Sequence, residues 1–484
     1  MSLLSRAHRA LPSAIGLALV SAGAHAASIT VTNGGDNGTA STCTLRQALL
    51  SATNDAAGTS SCVAGSGADT IGFATSLQNS TISLVSGELQ VGNDVSVYGS
   101  GQTINAHGAS RVMYINAGGT IQISNLKLVN GHTTDEGGGG GILIAASALP
   151  PATTLAHNAG KRHASVPNVS ASATVLLANV TVSGNSATGS AGGIASYGAY
   201  LALKYSTVSG NSVVTSGSYA AGGVLSVNGL LAVANSTISG NTVTGDPQAS
   251  KYLIAGAYAY NSQSIFVDST ISGNTASGSN DIVGGAGFGG GDPQSTTKYA
   301  ELVSNTISGN TAIGTGPVVV GGVFANQTVA IGNTILSANT GPTADFLDAV
   351  PTIQMQSNLL GTALQSTFTG NGNVFSDNPG LGPLANNGGP TRTRALIAGS
   401  PAINAGDSTL VSGLMIDQRG AGFPRIVGPA IDIGAFEGQV AAAVVNAIPA
   451  PALSTWAATA LAGLLATSAA IAGRLRHPRT RKRR

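Results

Sequence analysis

Ser236-Thr237-Ile238-Ser239-Gly240-Asn241-Thr242 is one copy of a phrase that recurs through the middle of the chain. Thr181-Val182-Ser183-Gly184-Asn185 and Thr207-Val208-Ser209-Gly210-Asn211 precede it. Thr270-Ile271-Ser272-Gly273-Asn274 and Thr306-Ile307-Ser308-Gly309-Asn310 follow. Asn333-Thr334-Ile335-Leu336-Ser337-Ala338-Asn339 is a looser copy with one residue inserted. A constant motif at widening intervals means similar coils joined by loops of unequal length, and such repetition decides the fold before local features do.

Each copy divides by chemistry. Val182, Val208, Ile238, Ile271 and Ile307 form a β-branched column, and Leu177, Leu203, Val233, Phe266 and Leu302 form a second apolar column just upstream. Apolar residues alternating with small polar ones predict short strands with one buried face. β-Branched side chains suit that pleated surface. Gly-Asn supplies the turn, since Gly accepts a positive φ and Asn tolerates it. A second signal alternates with the first: Gly192-Gly193-Ile194, Gly222-Gly223-Val224, Gly284-Gly285-Ala286 and Gly321-Gly322-Val323, with Ala255-Gly256-Ala257 in the remaining coil. Roughly 30 residues per coil allows about three short strands with turns, which predicts an all-β, single-stranded parallel β-helix, or solenoid. Stacked at the strand spacing, Asn185, Asn211, Asn241, Asn274 and Asn310 would form a ladder, each amide bonding backbone and the next amide along. Propeller blades and leucine-rich repeats require aromatic or Leu-dense marks that are not visible.

Composition agrees. The chain has 484 residues, 68 of them Gly, and only 8% charged residues, too few for a disordered chain. The formal charge of +2 misleads, because Arg6 and Arg9 stand near the N-terminus and a dense basic run lies between Arg474 and Arg484. The body between them is acidic and gives no reason to propose nucleic-acid binding.

Residues 1–26 read as a signal peptide: Arg6 and Arg9 precede the apolar run Ala14–Val20, and Ala24-His25-Ala26 is an A-x-A site that predicts cleavage between Ala26 and Ala27. Export predicts a disulfide between Cys43 and Cys62. Between them a helix is expected over Leu45–Asn54, with Thr44 and Gln47 as a capping box and Leu45, Ala48, Leu49 and Ala52 as its apolar stripe. Residues 27–68 are therefore expected to cap the open first coil, and 69–380 to form the solenoid. Ala146–Val166, rich in Ala and Pro, is expected to protrude as a loop. Residues 439–452 form a linker. Leu453–Gly473 carries no charge over a length able to span a bilayer, so it predicts a transmembrane helix followed by a basic cytoplasmic tail, 474–484.

Three stretches carry a family resemblance. Cys43-Thr44-Leu45-Arg46-Gln47-Ala48-Leu49 resembles the Cys-Ser-Leu-Arg-Glu-Ala-Ile segment that opens many bacterial secreted right-handed parallel β-helix proteins. Within 381–438, four blocks resemble the choice-of-anchor Q domain of bacterial surface proteins: Asn386-Asn387-Gly388-Gly389-Pro390-Thr391, Gly399-Ser400-Pro401-Ala402-Ile403-Asn404-Ala405-Gly406-Asp407, Asp417-Gln418-Arg419-Gly420 and Asp432-Ile433-Gly434-Ala435-Phe436-Glu437. That resemblance implies a C-terminal cap and display at the cell surface, and Arg419 is expected to pair with Asp417 or Asp432. Pro451-Ala452-Leu453-Ser454-Thr455-Trp456, with the helix and basic tail behind it, resembles the IPTL-CTERM sorting signal, although Ala452 and Thr455 stand where that pattern has Thr and Glu. This implies an inner-membrane intermediate and a sorting or processing enzyme as partner.

Chemistry is sparse. Glycoside hydrolysis wants two carboxylates about 5 to 10 Å apart, and the column Asn179, Tyr205, Asn235, Asp268, Ser304 holds one acid. His132, Asp135 and Glu136 are the best local acid–base cluster, and Asp281 with Asp292, or Asp345 with Asp348, are candidate Ca²⁺ ligands. Three roles are open on this reading: a surface rod binding glycans or matrix in adhesion, a polysaccharide lyase or hydrolase, and a passive structural surface component.

Overall fold

The computed structural model describes residues 26–438 apart from 59, 93, 117, 147–172, 216–218, 246–251, 280, 281, 284, 286, 291–298, 344, 349–352, 363, 366 and 367. Three long parallel sheets run through this body. The first has eleven strands, from Ser28–Val31 (β1) and Asp69–Phe73 (β2) to Ile353–Gln356; the second has eleven, from Thr81–Ser83 to Val374–Phe375; the third has ten, from Leu89–Val91 to Leu364–Gln365. From β2 onward, neighbours within each sheet are separated in sequence by strands of other sheets, so the chain advances one strand spacing per circuit. The body is an all-β solenoid. Three strands per coil hold at its ends, and the central coils carry more. A six-stranded sheet, from His132–Thr133 to Thr311–Gly314, and a four-stranded sheet, from Tyr219–Ala221 to Val318–Val319, are inserted between the second and third.

Both apolar columns point inward. Leu177, Leu203, Val233, Phe266 and Leu302 stack in register in the first sheet, and Val182, Val208, Ile238, Ile271 and Ile307 in the second. All ten sit in one continuous core. The inserted sheets enclose a separate small core of Val213, Val243, Ala276 and Ala312 with Leu253 and Val283. Each central coil is thus a main barrel with a side lobe.

The first coil is covered as expected. Helix α1 spans Leu45–Asn54; Thr44 and Gln47 close the capping box, and Leu45, Ala48, Leu49 and Ala52 are buried. Cys43 and Cys62 form the disulfide. The solenoid starts earlier than residue 69, because Ser28–Val31 already pairs in parallel with Thr70–Phe73.

Residues 381–438 pack on the last coils, where Ala402 and Ile433 cluster with Leu359 and Val374, and also run back along the flank of the second sheet. Asn333 Oδ1 accepts from the Asp407 N–H at 2.8 Å, Thr306 Oγ1 accepts from the Ala435 N–H at 3.0 Å, and Thr270 Oγ1 donates to Gln418 Oε1 at 2.6 Å. Further back, Thr237 Oγ1 donates to the Arg392 carbonyl at 2.6 Å and Asn235 Nδ2 to the Asp417 carbonyl at 3.0 Å. The outward Thr column is polar, so a segment rich in backbone donors and acceptors can lie on it without leaving groups unsatisfied. Arg419 pairs with Asp417 at 2.6 Å, its guanidinium lying between the Phe423 and Phe436 rings.

The segment 1–25 with most of the signal expectation, the linker, Pro451–Trp456, the 453–473 span and the basic tail lie outside the described residues. Among those described, no helix is long and apolar enough to cross a membrane.

Candidate functional site

The asparagines do form a ladder. Asn185 Nδ2 donates to Asn211 Oδ1 at 2.9 Å, Asn211 to Asn241, Asn241 to Asn274, and Asn274 to Asn310, each at 2.9 Å. Each Nδ2 also donates to a carbonyl one coil back, as Asn241 does to Val208 at 3.0 Å, and each Oδ1 also takes a backbone N–H. The row extends past the strict motifs to Asn339 and ends on a carboxylate, where Asp345 Oδ1 accepts from Asn339 Nδ2 at 2.8 Å. Asp345 is therefore a structural terminus of the ladder. Asp281 and Asp292 lie outside the described residues, and among the described residues no group of three His, Cys, Asp or Glu could hold a metal ion.

The left-handed position of the motif is its glycine, at φ 65, 63, 63, 70 and 74° for Gly184, Gly210, Gly240, Gly273 and Gly309. The asparagine side chain turns inward instead. A second left-handed turn falls at Asn179, Tyr205, Asn235, Asp268 and Ser304, the column with a single acid, and recurs at Asn333. It is followed by a second ladder that sequence reasoning missed. Ser206, Ser236, Ser269, Asn305, Thr334 and Asn358 each accept a backbone N–H from the previous coil. Its mixed Ser, Asn and Thr composition hid the repeat.

His132, Asp135 and Glu136 do not converge. His132 Nδ1 meets Ser186 Oγ at 2.8 Å, Asp135 pairs with Arg111 at 3.1 Å, and the Glu136 carbonyl accepts from Ser190 Oγ at 2.7 Å. Beside the Ser186–His132 pair is an open hollow of about 310 Å³ lined by His107, Gly108, Asn130, Gly131, Gly184 and Ser186. Its backbone N–H groups are all committed within the solenoid: His107 to Asn105 Oδ1, Gly108 to Asn130 O, Asn130 to Ser183 O, Gly131 to Asn185 Oδ1, Gly184 to Ser209 O and Ser186 to Gly131 O. The hollow therefore offers no uncommitted backbone N–H to a developing oxyanion.

Several other carboxyls are interior. Burial pushes the carboxyls of Asp268, Glu301 and Glu437 up to about 7 and that of Asp345 up to about 6. The Arg425 guanidinium is 3.5 Å from Asp268, too long for a hydrogen bond, so it offsets burial only in part.

One surface gathers aromatic rings. Six of the chain's ten tyrosines, Tyr114, Tyr197, Tyr219, Tyr252, Tyr258 and Tyr260, cluster on the outward side of the third sheet where the four-stranded sheet meets it. Tyr219 stacks on Tyr260 with ring centres 4.4 Å apart, and Tyr252 lies 6.4 Å from Tyr258 and 6.2 Å from Phe324. Tyr252 and Tyr260 are half-buried, and the others are buried. The sequence shows these tyrosines scattered at irregular spacing; only the coil register brings them together. No protein-family model matches the chain, and no curated protein matches it.

Proposed function

We propose that the chain is an exported, surface-anchored, right-handed parallel β-helix that binds glycans of the cell surface or matrix through the tyrosine strip. The observation that carries this reading is the pair Tyr252 and Tyr260, held half-buried over the buried rings of the same cluster. A rigid aromatic face binds at low entropic cost and suits the apolar face of a hydroxylated ligand. The signal-like N-terminus, the choice-of-anchor Q resemblance of 381–438 and the IPTL-CTERM resemblance of 451–456 support export and tethering by a helix over 453–473, before or during processing. Glycan arrays and cell-adhesion assays on the purified body test the binding. Tyr252→Ala with Tyr260→Ala is expected to lower it at least tenfold without altering the β-sheet circular dichroism. Wild-type signal no higher than control would overturn the reading. Mass analysis of the exported protein's C-terminus tests the tether.

A further inference from the structure

We infer that cleavage between Ala26 and Ala27 completes a part-buried ion pair, the new α-ammonium of Ala27 being bound by the carboxylate of Asp69. This rests on the export reading above and adds a role for the processed end. Ala27 leads directly into β1. Its N–H donates to Asp69 Oδ1 at 2.9 Å, and its carbonyl accepts from the Thr70 N–H at 2.8 Å. Ala26 is exposed, so the bond to be cut lies at the surface while the nitrogen it releases points inward.

Asp69 opens β2 and is fully buried. Both of its carboxylate oxygens accept from the Ser66 N–H, at 2.9 and 3.2 Å. Gly65 closes the site so tightly that a Cβ there would lie 2.6 Å from Asp69 Oδ2 and 2.2 Å from the Ser51 carbonyl of α1. No cationic side chain forms a salt bridge with Asp69 among the described residues. On the adjoining elements, Arg46 of α1 is committed to Asp36 at 2.8 Å, and the nearby acids are bonded elsewhere: the Asp55 carboxylate accepts from Gly67 N–H, and the Asp94 carboxylate from Thr120 N–H. A buried carboxylate with polar donors but no counter-charge is a costly arrangement. In the precursor, Ala27 offers a neutral amide. After cleavage the same nitrogen offers a positive charge. Hydrolysis of the Ala26–Ala27 bond leaves the Ala26 carboxylate on the released leader and the ammonium on the solenoid, so removal of the leader locks the first strand onto the second.

The exported protein is purified and its N-terminus sequenced, then its α-amine is titrated by pH-dependent acylation. The expected result is a start at Ala27 and an amine pKa above the ordinary value of about 8, with acylation at pH 8 at least tenfold slower than for Asp69→Asn. N-α-acetylation is expected to lower the urea midpoint of the wild type and leave that of Asp69→Asn unchanged. A start at any other residue overturns both the cleavage assignment and the ion pair. A start at Ala27 with an ordinary amine pKa overturns the ion pair alone, and this wild-type titration decides the matter even if Asp69→Asn does not fold.

Discussion

Gly223 lies against the side chain of Asn241, one coil further on: a Cβ on Gly223 would come 3.0 Å from Asn241 Nδ2 and 2.5 Å from the Gly256 carbonyl. Gly141, Gly193, Gly287 and Gly322 stand in the same relation to Asn185, Asn211, Asn310 and Asn339, at 2.9 to 3.0 Å. In the fourth coil the register falls on Gly287 rather than on the expected Gly284-Gly285, and with that correction the two sequence signals are two sides of one neck between the main core and the side lobe. The asparagine fills it, and the glycine makes room.

Gly223→Ala is accordingly expected to destabilise the protein by about 1–3 kcal/mol, since backbone and a bonded amide would have to move. The control is Gly72→Ala, where nothing lies within 4 Å of the added Cβ. Relief of unfolded-state entropy should make that change neutral or stabilising by about 0.4–1 kcal/mol. Urea midpoints of the two variants, measured side by side, check the opposite signs.

Asn241→Ala should cost more. It leaves the buried Asn211 N–H without its acceptor and takes one partner each from the Val208 carbonyl, Asn211 Nδ2 and Asn274 Oδ1, the last two keeping their bonds to the Val182 carbonyl and the residue-241 N–H. The orphaned N–H costs about 1–3 kcal/mol and the other lost bonds add to it, so a loss of several kcal/mol is expected. A solenoid couples mainly nearest neighbours, so the damage should be local. Hydrogen exchange is expected to accelerate in the strands around Asn211 and Asn274 while the coils near α1 keep their protection.

Why the coil was legible and the aromatic surface was not follows from how each is encoded. Val208 and Ile238 carry the same instruction in every copy, and repetition made it readable. Helix α1 was readable because Thr44, Gln47 and its apolar stripe are all local in sequence. The inserted sheets were not, since Ser212–Thr215 and Tyr219–Ala221 are too short to show a period. Tyr252 and Phe324 share a site only because the coil register brings them there. The flank position of 381–438 depends on Gln418 meeting Thr270, a contact between distant residues that no local pattern announces.

Reduction of Cys43–Cys62 should loosen the N-terminal end selectively. The disulfide closes a loop spanning a sequence separation of 19 residues and bounds α1 on both sides. Its removal by Cys43→Ser with Cys62→Ser is expected to cost about 3 kcal/mol. Because α1 covers the open edge of the first coil, the loss should appear as early exchange of β1 and β2 amides and a raised tendency to associate edge to edge. Hydrogen exchange and light scattering would register both, and unchanged behaviour in either would show that α1 holds without its staple.

The buried carboxyls set the sign of the pH dependence. Asp268, Glu301 and Glu437 are raised to about 7 and Asp345 to about 6 by burial, above their ordinary values of 3.8 for Asp and 4.5 for Glu. An acid whose folded pKa is raised favours the fold while protonated. Its contribution is complete below the unfolded value and is lost as pH climbs through the folded one. The melting temperature should therefore fall between about pH 4 and pH 8, opposite to the usual acid lability of proteins with salt-bridged carboxylates. Glu301 isolates the effect, because burial alone raises it and its Oε1 has no hydrogen-bond partner. Each tenfold difference in proton affinity corresponds to about 1.4 kcal/mol, so Glu301→Leu should raise stability at pH 8 by a few kcal/mol. At pH 5, where Glu301 is already mostly neutral in the folded protein, the gain should shrink. Melting curves of wild type and Glu301→Leu at the two pH values check this, and an equal gain at both would mean that the Glu301 carboxyl titrates in the fold as it does in the unfolded chain.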